Sequence, residues 1–197
     1  MTTARLFPDR RARICGAMRT ILALLALFAI APALAQTKPP AKPPAHPAPV
    51  ATNSPKSIGK FDDWEAATHV EAGQTVCYAF TYAQSSAPAL PGRAKVVLTV
   101  TERQAGRDAV AISAGFSYAA NASVTAQADQ TALDDFYTAQ RSAFARDGHA
   151  AVTAFQRSRT MLAISPAPQN VKVTDTFSLK GFTAAYNAIN KACPPAK

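Results

Sequence analysis

Apolar and polar residues alternate with a period of two through much of this chain, and no other feature constrains its fold as strongly. The clearest run is residues 171–179, "VKVTDTFSL", in which every second residue is apolar except Asp175. Other runs predict strands at 75–82, 96–101, 108–113, 123–128, 131–138, 141–146 and 160–166. Short strands separated by turns rich in glycine, proline and asparagine predict an all-β fold, an antiparallel sandwich or barrel.

Two stretches follow a helical period instead. Residues 147–158 predict a short helix with Asp147 as its N-cap. Near the C-terminus, one helical face carries four residues at the spacing i, i+4, i+7 and i+11: Phe182, Tyr186, Ile189 and Cys193. Ser178 is the predicted cap of this second helix, and the prolines that follow Cys193 end it. We expect its aromatic face to pack on the sheet.

The N-terminal part of the chain has a different composition and predicts processing. Residues 1–35 resemble a secretory signal peptide, with a basic flank, the apolar run "ILALLALFAIAPALA" and an Ala-Leu-Ala ending. Cleavage would leave Gln36 first, and Met18 is an alternative start. Residues 36–57 hold seven prolines and predict a disordered, polyproline-like spacer. The remaining residues, 58–197, are long enough for one domain with a core, and no transmembrane span is expected after processing.

The basic charge of the chain lies mostly outside that domain. The whole sequence has 21 basic and 12 acidic residues, a formal net charge of +9. Five arginines lie in residues 1–35 and three lysines in 36–57, so only about +2 remains on 58–197. Because no basic stripe interleaved with aromatics follows residue 57, nucleic-acid binding is not expected. The spacer lysines could contact anionic surfaces.

The cysteines predict one disulfide. Cys15 precedes the apolar run and would be lost on export, which leaves Cys77 and Cys193 as a pair. Two buried free thiols are the alternative. Cys77 points away from the face that Val76, Tyr78 and Phe80 share in an ideal strand. Either the C-terminal helix covers the Cys77 side of a sheet buried on both faces, or a β-bulge reverses the register.

Residues that could support catalysis or metal binding do not form a recognisable motif. His69 is expected to be a solvated strand histidine, and His149 lies near Asp147 in the first turn of a helix. The carboxylates of "DDWE", residues 62–65, predict a turn rather than a glycosidase pair. Asp175 faces the core and is expected to be a structural residue bonded to backbone N–H groups or to an arginine. We therefore expect no catalytic residue, no metal and no cofactor.

Three segments resemble the invasion-associated locus B family of bacterial exported proteins. They are "FDDWEAATHVEAGQTVCYAFTYAQSS", "RTMLAIS" and "TDTFSLKGFTAAYNAINKACP", and the likeness covers roughly residues 60–194. The last segment, in which a Thr-Asp-Thr-aromatic-Ser-Leu strand leads into a helix ending in Cys-Pro, is the most specific. The resemblance implies an immunoglobulin-like antiparallel β-sandwich in the periplasm, or associated with the outer membrane, of a Gram-negative bacterium. It implies no agreed enzymatic activity.

The functional hypothesis is therefore a non-enzymatic binding protein of the bacterial envelope, whose partner is an envelope or host-surface protein. Two alternatives remain open at this point. One is an envelope enzyme that acts on cell-wall glycans or esters, which would need a cleft with convergent polar groups. The other is a passive periplasmic stress or assembly factor.

Overall fold

The structure, a computed structural model, describes residues 54–196. The predicted signal peptide, residues 1–35, lies outside the described residues, as does the predicted spacer up to residue 53. The first strand begins at Lys56. The boundary predicted at residue 57 therefore falls inside a strand, because the last two residues of the segment pair with the sheet.

The described residues form twelve strands, two α-helices and a short 3-10 helix, Pro168–Asn170. The strands are β1 (Lys56–Phe61), β2 (Trp64–Glu71), β3 (Gln74–Tyr82), β4 (Ser85–Ala87), β5 (Val97–Arg103), β6 (Gly106–Ser113), β7 (Ser123–Ala128), β8 (Thr131–Ala132), β9 (Phe136–Ala139), β10 (Ser142–Phe144), β11 (Thr160–Pro166) and β12 (Lys172–Ser178). The helices are α1 (Gly148–Arg157) and α2 (Phe182–Ala192). Neither helix combines the length and the apolar character needed to cross a membrane.

The strands pair antiparallel in the order β1-β2-β3-β5-β6-β10-β9-β7-β11-β12-β4, with β8 beside β7. The ends of this order, β1 and β4, do not pair with each other, so the sheet is open. The strands divide into a front and a back sheet. The front sheet contains β1, β2, β3, β5, β6, β10 and β9, and the back sheet contains β7, β8, β11, β12 and β4. The prediction of an antiparallel sandwich is confirmed, and the barrel is not formed.

The core lies between the two sheets and under the helices. The indole Nε1 of Trp64 on β2 donates to the carbonyl oxygen of Ser178 on β12 at 2.9 Å, which links the front sheet to the back sheet. Phe182 of α2 packs on Trp64 and on Phe155 of α1, with ring centroids 4.9 and 5.5 Å apart. These rings are buried, so their removal from water is a principal source of stability.

The two helix starts differ from each other in their chemistry. Asp147 caps α1 as predicted, because its carboxylate accepts from the backbone N–H of Ala150 at 2.9 Å. The prediction that Ser178 caps α2 is wrong. Ser178 belongs to β12, and the N-cap of α2 is instead Gly181, which has φ 89°. A Cβ at Gly181 would lie 2.0 Å from the carbonyl oxygen of Phe61, so the close approach of β1 requires glycine here.

Two of the predicted strands also need correction. The segment 131–138 is not one strand: β8 and β9 are separated by an irregular stretch, and β9 pairs with β7 and β10. On β3, the register with β2 and β5 is continuous, so no bulge reverses it. α2 covers the side that carries Cys77 and Ala79, and the opposite side, which carries Tyr78 and Phe80, is open and only half-buried.

The predicted disulfide joins Cys77 on β3 to Cys193 at the end of α2, and it is confirmed. The two Cα atoms are 5.9 Å apart and the residues are separated by 116 positions in the sequence. Cys77 is fully buried. The bond therefore fixes the last element of the chain to the inner face of the front sheet.

Candidate functional site

A continuous row of aromatic side chains crosses the open face of the front sheet. We call His69, Tyr78, Phe80 and Tyr82 the aromatic track. Successive ring centroids along it are 5.3, 5.9 and 5.8 Å apart. The row forms because alternate residues of β3 share one face, while Cys77 on the other face is held by the disulfide. Tyr82 is 46% exposed, and Tyr78 and Phe80 are half-buried.

Smaller side chains form a floor beside the aromatic track. Phe80 lies opposite Thr99 on β5, which lies opposite Ala111 on β6. The same row continues to Phe144 on β10 and Tyr137 on β9, whose rings stack at 5.4 Å. Three strand spacings, roughly 14 Å, separate β3 from β10. The open face is therefore a shallow trough with aromatic side chains on both walls.

The carboxylates beside the aromatic track are neutralised by neighbouring cations. Glu71 accepts from Arg103 at 2.8 Å and lies 2.8 Å from the ring of His69. These two contacts lower the pKa of Glu71 to about 2. By contrast, Lys95 lies over the ring of Tyr82, 4.9 Å from its centroid, and has no carboxylate within ion-pair distance among residues 54–196. Positive charge is thus left uncompensated on this face.

Asp175 is buried between the two sheets, where it meets an arginine. Both Asp175 oxygens accept from Arg93, from Nη1 and Nη2 at 2.8 Å each, and Oδ1 also accepts from Ser86 at 2.6 Å. The Arg93 guanidinium lies 4.9 Å from the ring centroid of Phe116. Because Arg93 occupies both carboxylate oxygens, this geometry favours a structural role for Asp175 over a catalytic one.

A second polar cluster joins the end of α2 to β5 and β6. Glu102 is fully buried and lies 2.9 Å from Nε of Arg107. The same guanidinium donates from Nη1 to the carbonyl oxygen of Cys193 at 2.8 Å. Next to it, Asp108 accepts from the hydroxyl of Tyr186 at 2.5 Å and lies 2.9 Å from Nδ1 of His149. The cluster fixes α2 and α1 to the front sheet through charged and hydrogen-bonded groups.

The environment of this cluster shifts several protonation equilibria. Burial, together with the nearby Asp108, raises the pKa of Glu102 to about 7 despite the charge of Arg107. Burial alone would raise the pKa of Asp108, but hydrogen bonds from Tyr186 and His149 hold it below its ordinary value. Burial and the bond to Asp108 raise the pKa of Tyr186 to about 12. Shifted pKa values are common at functional sites, but Glu102 exposes no atom to a substrate.

The shifted pKa of Glu102 makes stability depend on pH. Because the pKa is raised from 4.5 to about 7, the folded chain binds more protons than the unfolded chain between these values. The contribution of Glu102 protonation to the unfolding free energy is complete below pH 4.5 and is lost as the pH rises through 7. Relative to Glu102→Gln, the wild type should lose about 2–3 kcal/mol of unfolding free energy over this window. Urea unfolding at several pH values measures the difference.

Glu71→Gln is the matched control for this experiment. The pKa of Glu71 is lowered to about 2, so its contribution is present above pH 4.5 and is lost only as the pH falls towards 2. The unfolding free energy of Glu71→Gln should therefore change with pH in parallel with that of the wild type between pH 4.5 and 7. Parallel curves for Glu102→Gln and the wild type over that window would contradict the prediction.

The other residues singled out in the sequence are not brought together. His69 belongs to the aromatic track, whereas His149 is exposed and contacts Asp108. Residues 62 and 63 form the turn between β1 and β2, whereas Trp64 and Glu65 begin β2. In this turn, Asp62 pairs with Lys180 at 3.1 Å. Within residues 54–196, no group of three or more histidine, cysteine or acidic residues could hold a metal ion.

Sequence reasoning missed Glu102 and the open face. Glu102 continues the inward-facing pattern of Leu98 and Val100, and that continuation was the available signal. The aromatic alternation of β3 was visible, but alternation does not say which side of a strand is covered. The pairing of Arg93 with Asp175 had no signal, because the two residues lie 82 positions apart. Arg107 lies close to Glu102 in the sequence, on the neighbouring strand of the β5–β6 hairpin, but its contact with the carbonyl oxygen of Cys193 joins residues 86 positions apart.

The fold places this chain among the antiparallel β-sandwich proteins, with a C-terminal helix attached to the sheet by a disulfide. A family model described as invasion associated locus B (IalB) protein matches residues 64–190. That match spans more than half of the chain, and the chain belongs to this family. The crystal structure of invasion associated protein B from Bartonella henselae is similar, with a TM-score of 0.50 and 16% identity. The alignment covers 70% of this chain and 96% of that one, and it supports the fold alone. No curated protein matches the chain.

Proposed function

We propose that this chain is exported to the periplasm or the outer membrane of a Gram-negative bacterium and acts there by binding, without catalysis. Three features support export: the signal-peptide pattern of residues 1–35, the proline-rich segment behind it, and a disulfide of the kind that persists in oxidising compartments. Membership of the invasion-associated family agrees with this location.

The observation that carries the binding role is the aromatic track on the open face of the front sheet. Exposed aromatic side chains grouped on one face are typical of interaction surfaces. The buried polar groups, in contrast, are used within the fold: no buried side-chain nitrogen or oxygen in the described part of the chain lacks a hydrogen-bond partner. The polar clusters around Asp175 and Glu102 therefore have the character of structural contacts, and the open face remains as the place for a partner.

Affinity capture after chemical crosslinking in a Gram-negative host tests this proposal. The full chain, tagged at its C-terminus, should be recovered from the envelope fraction together with a partner, and Phe80→Ser/Tyr82→Ser should lose that partner. Ile164→Ser is the matched control, because Ile164 is 37% exposed on β11 in the back sheet. Recovery from the cytoplasm, or equal capture by the track variant and the wild type, would overturn the proposal.

A further inference from the structure

We propose that the aromatic track binds a linear acidic polysaccharide of the bacterial envelope. This inference rests on the proposed binding function and names the chemistry of the ligand. It combines three properties of the open face, namely the absence of free main-chain groups, the regular spacing of the rings, and the uncompensated positive charge at one end of the aromatic track.

The main chain under the aromatic track is fully occupied. β3 pairs with β2 on one side and with β5 on the other, and β5 also pairs with β6. A peptide that binds as an added strand needs a free sheet edge, which these strands do not have. The face therefore offers a ligand only side chains, and these are aromatic rings beside the hydroxyl groups of Thr99 and Thr101.

Rings and hydroxyl groups suit a sugar polymer. The C–H groups on one face of a sugar ring carry partial positive charge and are attracted to the electron-rich face of an aromatic ring. The hydroxyl groups at the rim of the sugar hydrogen-bond to polar side chains. Successive rings of the aromatic track lie 5.3 to 5.9 Å apart, with interplanar angles of 69°, 30° and 88°. A polymer therefore meets ring faces and ring edges in turn, and several linked weak contacts raise the overall affinity.

The charge of the face favours an acidic polymer. Glu71 is paired with Arg103, and Glu65 lies 3.7 Å from Lys60. Lys95 instead lies over Tyr82, where the aromatic track reaches a cavity of about 450 Å³ lined by Leu90, Lys95 and Val96. A cation beside an aromatic ring at the mouth of a cavity suits a sugar unit that bears a carboxylate.

Isothermal titration of the processed chain with a galacturonic acid hexamer tests the inference. The fully methyl-esterified hexamer is the matched neutral ligand. We expect the acidic hexamer to bind, with affinity lowered about tenfold by Phe80→Ala or Tyr82→Ala. Lys95→Gln should weaken binding of the acidic hexamer and leave binding of the ester unchanged. Added salt should likewise weaken only the acidic ligand.

Two controls distinguish a loss of ligand binding from a loss of folding. Ile164→Ala on the back sheet should bind like the wild type, and all variants should keep the wild-type melting temperature within a few degrees. The inference is overturned if the wild type binds neither hexamer, if the track variants bind normally, or if a proline-rich peptide binds the aromatic track more tightly than the acidic hexamer. If the acidic hexamer shows no binding while Phe80→Ser/Tyr82→Ser still loses the crosslinked partner, the proposed ligand class is wrong and the proposed binding function stands.

Discussion

Replacing Arg93 by methionine is expected to lower the free energy of unfolding by about 3–5 kcal/mol, because it leaves a buried carboxylate without its countercharge. The side chains of Arg93 and Asp175 are 6% and 0% exposed, so water cannot replace the lost partner. The variant also loses the bond from Nε of Arg93 to the carbonyl oxygen of Ala114 at 2.6 Å. Denaturant unfolding of the purified protein measures the change.

The double variant Arg93→Met/Asp175→Leu separates the cost of an orphaned charge from the value of the ion pair. Removing both charges from a buried pair is often nearly neutral. We therefore expect the double variant to lie within about 1 kcal/mol of the wild type. A single variant as stable as the wild type would mean that Asp175 finds other donors, and an equally unstable double variant would mean that the loss is one of packing.

Loss of the disulfide is expected to destabilise the protein by about 2–5 kcal/mol. The bond closes a separation of 116 residues, so it strongly restricts the unfolded chain. In the folded state it holds the C-terminal end of α2, whose buried residues are Phe182, Ala185 and Ile189. Thermal unfolding of oxidised wild type, reduced wild type and Cys77→Ala/Cys193→Ala measures the loss.

Hydrogen exchange locates the effect of reduction within the fold. The amides of α2 should lose protection before those of β3, because helices at chain ends open locally unless they are held. Reduced wild type and the double variant should behave alike, which controls for damage by the substitutions themselves. Equal midpoints for oxidised and reduced wild type would contradict the expected stabilisation.

Local sequence patterns predicted several elements of this protein correctly. The predicted strands 123–128 and 160–166 match β7 and β11 at both ends. Asp147 was identified as a helix cap because the capping contact joins it to a residue only three positions away. The cysteine pair needed no geometry, because Cys15 lies in the predicted signal peptide and the two other cysteines have only one pairing.

The partner of buried Asp175 could not be predicted in the same way. The sequence placed Asp175 in the core through the alternation of β12, and it indicated that such a carboxylate needs donors. It did not indicate that Arg93 supplies them. The two residues are 82 positions apart, and they meet only because β4 pairs with β12 and directs the following loop past Asp175.

The period of two in the sequence determined that Tyr78, Phe80 and Tyr82 share one face of a strand, and that Cys77 lies on the other. Only the tertiary structure decided which face is covered. α2 reaches β3 because Gly181 allows close approach to β1 and because Cys193 bonds to Cys77. The aromatic face was left open as a result. A strand's alternation is a property of its own backbone, whereas the burial of a face depends on an element more than a hundred residues away.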